Sequence, residues 1–334
     1  MSGVGVVTIG RNEGERLRRC LASVVGRADA VVYVDSNSSD GSVGLARELG
    51  ATVVELDLST PFTAARARNA GFEKLMSVAP GVEFVQFVDG DCEVVTGWLE
   101  KARGALVAPN VAVVCGRRRE RFPDATVYNK LCDIEWNSAI GEVKTCGGDA
   151  MIRVSAFREV NGFDPSVIAG EEPELCVRLR GKGYTILRID ADMTLHDAAM
   201  TRFGQWWKRN VRSGHAYAEG RSMHGRPPER HWIKENRSNW IWGLIWPVLG
   251  LGAAWPTRGL SLLAMVVGYE LLHWRSTRHA TRRGLPRAQA NVYAAFIVLG
   301  KIPQALGQLK YWTNRLSGRR SKLIEYKGAP AVGI

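Results

Sequence analysis

The C-terminal part of the 334-residue chain lacks acid: residues 201–334 hold 22 Lys/Arg against five Glu and no Asp, a balance of +17. The six cysteines, Cys20, Cys92, Cys115, Cys132, Cys146 and Cys176, include no C-x-x-C pair. Their wide spacing suggests neither a zinc site nor a disulfide framework and points to a reducing compartment. The 36 Gly and 13 Pro follow no period and no internal repeat is visible, which excludes collagen-like and low-complexity classes. The opening Met-Ser-Gly-Val-Gly lacks a basic segment followed by an apolar one. No signal peptide is therefore expected, and the first half is expected in the cytosol.

What the chain does contain falls into two parts. Residues 1–200, with 23 Lys/Arg against 28 Asp/Glu, carry −5, and nine of the eleven tryptophans lie after residue 200. At this length one large domain plus an appendage is expected. Basic residues interleaved with aromatics can serve nucleic acid. Here they flank apolar stretches, which favours an anionic membrane surface and no nucleic-acid partner.

Short β-branched runs at 4–9, 30–35, 52–56, 84–89 and 111–115 alternate with helical patterns at 13–25, 40–49, 61–78 and 95–107. That rhythm predicts an α/β fold, a doubly wound and mostly parallel sheet. Such sheets bind ligands at the carboxyl ends of their strands. Three of the predicted ends carry polar clusters: Arg11-Asn12-Glu13, Asp35-Ser36-Asn37 and Asp89-Gly90-Asp91. Further on come a basic cluster from Arg117 to Arg121, a helix near 125–140, Gly147-Gly148, a strand at 150–154, a helix at 173–183 and a strand at 184–189. Past residue 200 lie apolar stretches at 238–257, 259–274 and 289–309. The predicted domains are a catalytic 1–220, a linker 221–237, and membrane-associated helices with a basic tail over 238–334.

Asp89 and Asp91 flank a permissive glycine at a strand end, an arrangement that suits a hard divalent cation holding phosphate oxygens. Asp35 is placed to accept hydrogen bonds from a nucleobase edge, while Ser39 or Asp40 would cap the next helix. Pro173 fits the first helical position and pushes Glu172 into extended geometry outside the helix. A carboxylate at such a corner suits a general base, whereas Glu171 and Glu174 are covered by the helix dipole. His196 follows a strand and gains a role where Asp91 needs a nitrogen partner on the same ion. In Gln205-Trp206-Trp207-Lys208-Arg209, Trp206 and Trp207 would offer indoles to a sugar face or to packing, and Arg209 a cation over a departing diphosphate.

The set resembles the family 2 glycosyltransferases, with their GT-A fold, over about residues 3–220. The matching pieces, in order, are Arg11-Asn12-Glu13, Asp35 with its Ser/Asp/Gly turn, Ala67-Arg68-Asn69-Ala70-Gly71, Asp89-Gly90-Asp91, Gly147-Gly148, Asn161-Gly162-Phe163-Asp164 and Gly170-Glu171-Glu172. The resemblance implies that Thr8, Asn12, Glu13 and Asp35, with Arg68 and Asp89, hold the nucleotide sugar. It implies that Asp89, Asp91 and His196 hold Mg²⁺ or Mn²⁺, and that Gly147 and Gly148 line the acceptor cleft. Glu172 would take the place of the catalytic base, usually an Asp, with Glu171 as the alternative. Processive members carry Gln-x-x-Arg-Trp; here Gln205 leads into Trp-Trp-Lys-Arg, which implies transfer of one sugar at a time. The basic, apolar C-terminal part looks like the membrane-attached branch that builds bacterial exopolysaccharide or lipid-linked glycans.

The expected activity is therefore an inverting, metal-dependent hexosyltransferase, using a UDP- or GDP-sugar and a membrane-presented or glycan hydroxyl. It would work at the cell inner membrane with its catalytic domain on the cytoplasmic side. A nucleotidyltransferase, or a membrane-anchored nucleotide-sugar-binding protein without transferase activity, is the alternative. For topology, 238–257 is expected to cross outward and 259–274 to return. Lys301 and Pro303 would interrupt 289–309 and keep it at the cytosolic interface, with the tail of Lys310, Arg315, Arg319, Arg320, Lys322 and Lys327 on anionic headgroups.

Overall fold

The computed structural model describes residues 3–319 and 324. Arg320, Lys322 and Lys327 of the expected basic tail lie outside the described residues. Two compact units divide at Thr201/Arg202. The first unit opens with β1 (Gly3–Gly10), α1 (Glu15–Ala22), β2 (Ala30–Asp35), α2 (Ser42–Glu48), β3 (Thr52–Glu55), α3 (Ala64–Val78) and β4 (Val82–Asp89). It continues through β5 (Cys92–Val94), α4 (Trp98–Ala105), β6 (Val111–Glu120), α5 (Val127–Trp136), β7 (Gly141–Val143), β8 (Ala150–Arg153), α6 (Val154–Glu159), α7 (Glu171–Gly181) and β9 (Thr185–His196).

The strands form one sheet in the order β3-β2-β1-β4-β8-β6-β9-β5, with β7 paired to β9. Its first half, β3 to β4, is parallel, as the alternating runs predict. Beyond it β8 pairs antiparallel with both β4 and β6, and β5 and β7 pair antiparallel with β9, so parallel pairing there is confined to β6 and β9. The sheet is mixed: its later half alternates directions although α4, α5, α6 and α7 lie between its strands. Valines and isoleucines of β1, β2, β4 and β6 fill the core, covered by Leu17, Leu21, Phe72, Leu75 and Phe157 of the flanking helices.

Two glycines bring α3 onto the sheet. A Cβ at Gly71 would stand 2.4 Å from Val7 and 2.8 Å from Val34, and one at Gly5 would meet Leu75 at 2.5 Å. The close seat leaves Arg68, one turn earlier on α3, at the carboxyl ends of the strands. Helix starts also differ from expectation. α2 begins after Gly41 in the left-handed conformation, one residue beyond the expected cap, while Asp40 Oδ1 accepts from the Ser42 backbone and hydroxyl.

The second unit comprises α8 (Phe203–His224), α9 (Ile233–Trp240), a π-helical turn at Ile241–Ile245, α10 (Trp246–Gly252), α11 (Leu260–Arg282) and α12 (Arg287–Leu316). The expected linker at 221–237 thus holds the end of α8 and half of α9. Gly214 and Gly307 let α8 and α12 touch backbone to backbone, since a Cβ at either would stand 2.0 Å from a carbonyl oxygen of the other helix. Small residues at helix contacts are how apolar helices approach closely.

The apolar stretches are partitioned differently from the expectation. The 238–257 stretch is split among α9, the π turn, α10 and a turn, and among the described residues α12 is the one helix long and apolar enough to cross a membrane. Lys301 and Pro303 do not break α12. Lys301 Nζ donates to Asn239 Oδ1 at 3.0 Å, Pro303 is buried, and the helix continues past both.

Candidate active site

β1, β2 and β4 end in register: Gly10 stands beside Asp35, and Ile9 beside Asp89. The polar loops that follow are stitched together at their backbones. Asn12, at φ 55°, donates its N–H to Ser38 Oγ at 2.9 Å and accepts from the Ser39 N–H at 2.7 Å. Glu13 pairs with Arg16 at 2.8 Å. Asp35 is buried, accepting from Tyr33 Oη at 2.9 Å and the Ser38 N–H at 2.8 Å. Thr8, expected in the donor-binding set, lies deeper than these loops. Strand alternation turns its side chain inward, where it is fully buried with its hydroxyl 3.9 Å from Cys20 Sγ.

Arg68 organises the centre. Its guanidinium donates to Glu171 Oε1 at 2.7 Å and to Asp89 Oδ1 at 2.8 Å, and lies 3.1 Å from Glu172 Oε1. Three carboxylates thus converge on one nearly buried cation. Gly148 closes the same space: a Cβ there would stand 3.1 Å from Asp89 Oδ2, 3.2 Å from Glu172 Oε1 and 2.8 Å from Arg118 Nη2. Gly147 adopts φ +81°, so the glycine pair both turns the chain and leaves room above the carboxylates. Asn69 pins the Asn161-Gly162-Phe163 loop through both its amide groups, to the Phe163 N–H and C=O.

Glu171 and Glu172 occupy the first turn of α7, after Gly170 in the left-handed conformation. Glu172 was expected outside the helix. Pro173 sits instead in the third helical position, where its missing N–H still costs no bond, and the preference against helical geometry before proline yields to the helix start. Burial pushes the Glu172 carboxyl up to about 7, the Glu171 and Asp89 charges add to the rise, and Arg68 opposes it. Glu171, by contrast, is held in the buried ion pair with Arg68.

Asp91 and His196 meet as expected, with Nε2 3.3 Å from Asp91 Oδ2. On the other side His196 Nδ1 lies 3.5 Å from Glu120 Oε2. A carboxylate and an imidazole nitrogen brought this close are donors that one divalent cation can share, so the pair fits Mg²⁺ or Mn²⁺. Asp89, expected as a third ligand, is not grouped with them. Its oxygens are taken by Arg68 and by Arg118 at 3.4 Å, and the carboxylate clusters with Asp149.

Arg118 and Asp149 belong to the site and were missed. Arg118 Nε donates to Asp149 Oδ2 at 3.0 Å, while Asp149 Oδ1 accepts the Asp89 N–H at 3.1 Å and its Oδ2 accepts from Thr194 Oγ1 at 2.7 Å. Trp206, expected at the sugar or in packing, packs. It is 2% exposed, with its ring 5.1 Å from Phe296 of α12. Trp207 and Arg209 are half-buried on α8.

Residues 5–160 match the model of glycosyl transferase family 2. The chain is 24% identical over 226 residues to the glycosyltransferase AglE of Haloferax volcanii, covering 63% of this chain and 71% of that protein. Among solved structures it is similar to the mannosyltransferase PcManGT from Pyrobaculum calidifontis in complex with GDP-Man and Mn²⁺. That likeness has a TM-score of 0.56 and 18% identity, over 92% of this chain and 88% of that one. It is also similar to S. aureus TarS 1–349 in complex with UDP-GlcNAc, at a TM-score of 0.52 and 13% identity over 96% and 93% of the two chains. At these identities the solved structures establish the architecture alone, which is GT-A, and over residues 5–160 the chain is similar to the glycosyl transferase family 2 domain.

Proposed function

We propose that the chain moves one sugar from a UDP- or GDP-sugar to a hydroxyl of a membrane-presented or glycan acceptor, with inversion at the anomeric carbon. The observation that carries this reading is the convergence of Asp89, Arg68 and Glu172 on the space that Gly148 leaves open. Glu172, with a carboxyl near neutrality, takes the proton of the acceptor hydroxyl as it attacks. Glu171 is committed to Arg68 and positions it rather than taking the proton. Arg68 in turn fixes Asp89 for hydrogen bonding to the donor. Asn12, Glu13 and Asp35 shape the end of β1 and β2 where the nucleoside would lie, with Thr8 supporting from below. Asp91 and His196 would hold Mg²⁺ or Mn²⁺, as the Mn²⁺ in the complex of the Pyrobaculum mannosyltransferase supports. Bound there, the ion would neutralise charge on the departing diphosphate. Trp207 and Arg209 remain proposed contacts for acceptor or diphosphate.

One displacement with no covalent intermediate inverts configuration. The product formed from an α-linked nucleotide sugar is therefore expected to be β-linked, read by the one-bond coupling between the anomeric carbon and its proton in NMR. An α-linked product would overturn the assignment of Glu172 as base in a single displacement.

The second unit supports attachment to an anionic membrane, in the manner of the exopolysaccharide or lipid-linked-glycan branch, with the first unit on the cytoplasmic side of the inner membrane. Trp255 is 93% exposed at the turn between α10 and α11, and Val248, Leu249, Leu251, Leu260, Leu263, Val267 and Leu271 are exposed on the two helices. Arg275, Arg278, Arg282 and Arg283 lie toward the other end of α11, so apolar tip and basic base match the depth profile of a headgroup layer. Trp255→Asp combined with Leu263→Asp is expected to reduce flotation of the full chain with phosphatidylglycerol vesicles at least tenfold, since each loses about 1.5–3 kcal/mol of apolar burial. Flotation unchanged in the double variant would contradict this attachment.

A further inference from the structure

Beside the Asp91–His196 pair lies a thiol that sugar transfer does not use. Cys92 opens β5, is fully buried, and stands directly opposite His196 in the antiparallel β5–β9 register. Its Sγ is 3.7 Å from Asp91 Oδ1, and His196 Nε2 is 3.3 Å from Asp91 Oδ2. One donor atom from each of the three residues falls within 4.8 Å of the other two. Around a tetrahedral Zn²⁺ with bonds of about 2.0–2.3 Å, neighbouring donors stand about 3.3–3.8 Å apart. The Asp91 carboxylate already stands at such distances from both partners, through Oδ1 to the thiol and through Oδ2 to the imidazole, so turning one oxygen toward both closes the triangle.

The surroundings point the same way. Behind the imidazole, Glu120 Oε2 lies 3.5 Å from Nδ1, and Glu120 is itself held by the Ala198 N–H at 3.1 Å and by Asn129 Nδ2 at 3.2 Å. A carboxylate that holds the far nitrogen of a histidine fixes the tautomer and raises the basicity of the near one, as it does for zinc-bound histidines. The wide spacing of the cysteines concealed this arrangement, because the partners of Cys92 are a neighbouring acid and a histidine on another strand.

We propose that Asp91, Cys92 and His196 form a site for a thiophilic divalent cation, Zn²⁺ above all, that competes with the hard ion of the transfer reaction. The competition rests on the transferase reading; the binding does not. Mg²⁺ takes oxygen donors and leaves the thiol unused, whereas Zn²⁺ gains from sulfur and imidazole. As the Zn–S bond forms, the thiol proton passes to solvent. Three protein donors leave one tetrahedral position open. Zn²⁺ held there occupies Asp91 and His196, so transfer supported by Mn²⁺ falls as Zn²⁺ is added.

Cobalt reports the thiolate directly. The full chain, stripped of metal by a chelator and titrated with Co²⁺, is expected to show a thiolate-to-cobalt charge-transfer band saturating at one equivalent. One equivalent of Zn²⁺ should bleach it, and a large excess of Mg²⁺ should not. Cys92→Ser and, as a second variant, Cys92→Ala should lose the band. Cys146→Ser, which removes the thiol 3.6 Å from Cys176, should keep it. Glu120→Gln should weaken Zn²⁺ binding about 10–100-fold. Absence of the band in the native chain, or its survival without Cys92, overturns the proposal. A chain that shows the band but turns over no nucleotide sugar overturns only the transferase reading.

Discussion

Glu172→Gln is expected to lower sugar transfer by about 10² or more while leaving donor binding nearly unchanged. The amide preserves the volume of the side chain and its approach to Arg68, 3.1 Å away in the native chain, but cannot accept a proton at neutral pH. The native enzyme should show the matching pH dependence. Burial raises the Glu172 carboxyl to about 7, so the ionised base is present above that pH and is lost as pH falls through it. kcat/KM should therefore rise with pH and level off above about 7, and that limb should be missing from the residual activity of the variant. Measurement of kcat/KM against pH for both proteins checks this. If Glu171→Gln shows the loss and Glu172→Gln does not, the base is the other carboxylate.

Asp91→Asn should be more severe, with turnover falling about 10³-fold and excess Mn²⁺ giving no rescue. An ion that neutralises a departing diphosphate supplies several kcal/mol of charge stabilisation, and each 1.36 kcal/mol is a factor of ten. Asparagine is the informative replacement because Asp91 is buried against His196, where truncation to alanine would open a cavity as well as remove a charge. Steady-state turnover with saturating donor, alongside thermal melting to confirm the fold, is the measurement. Full activity of Asp91→Asn, or undiminished native activity in EDTA, would remove Asp91 from the ion.

The parts of the site that were legible in the sequence are those where local rules and the fold agree. Three valine-rich runs ended in acids or amides, and a parallel sheet places such ends together, so Asp35, Asp89 and the loop after Gly10 could be assigned to one edge. Arg118 and Asp149 could not, because they reach that edge through β6, β8 and β9, whose pairing spans long sequence separations. A weak signal existed. β6 continues past Cys115 to Glu120, and period-two alternation puts Arg118 and Glu120 on one face, one at Asp149 and the other at His196. Reading 117–121 as a basic cluster hid that alternation.

Glu172 shows a different limit. Proline's effect on its predecessor is a preference, and here the left-handed Gly170 and the ion pair of Glu171 with Arg68 start the helix earlier. In the second unit, composition identified the apolar stretches but not their partners. Lys301 reads as a break in a span until Asn239 is found 3.0 Å from its ammonium. Trp206 reads as a sugar platform until Phe296 is found against it.

The proposed transfer requires that the chain break the bond between the sugar and the nucleoside diphosphate. Phosphorus NMR of a mixture of the full chain, UDP- and GDP-sugars, Mn²⁺ and a membrane extract containing acceptors tests it most directly. The prediction is release of an intact nucleoside diphosphate from one of the two donors, abolished by EDTA and reduced about 10² or more in Glu172→Gln. Appearance of a nucleoside monophosphate with a sugar phosphate, which marks cleavage within the diphosphate, or no release from either donor, would contradict it.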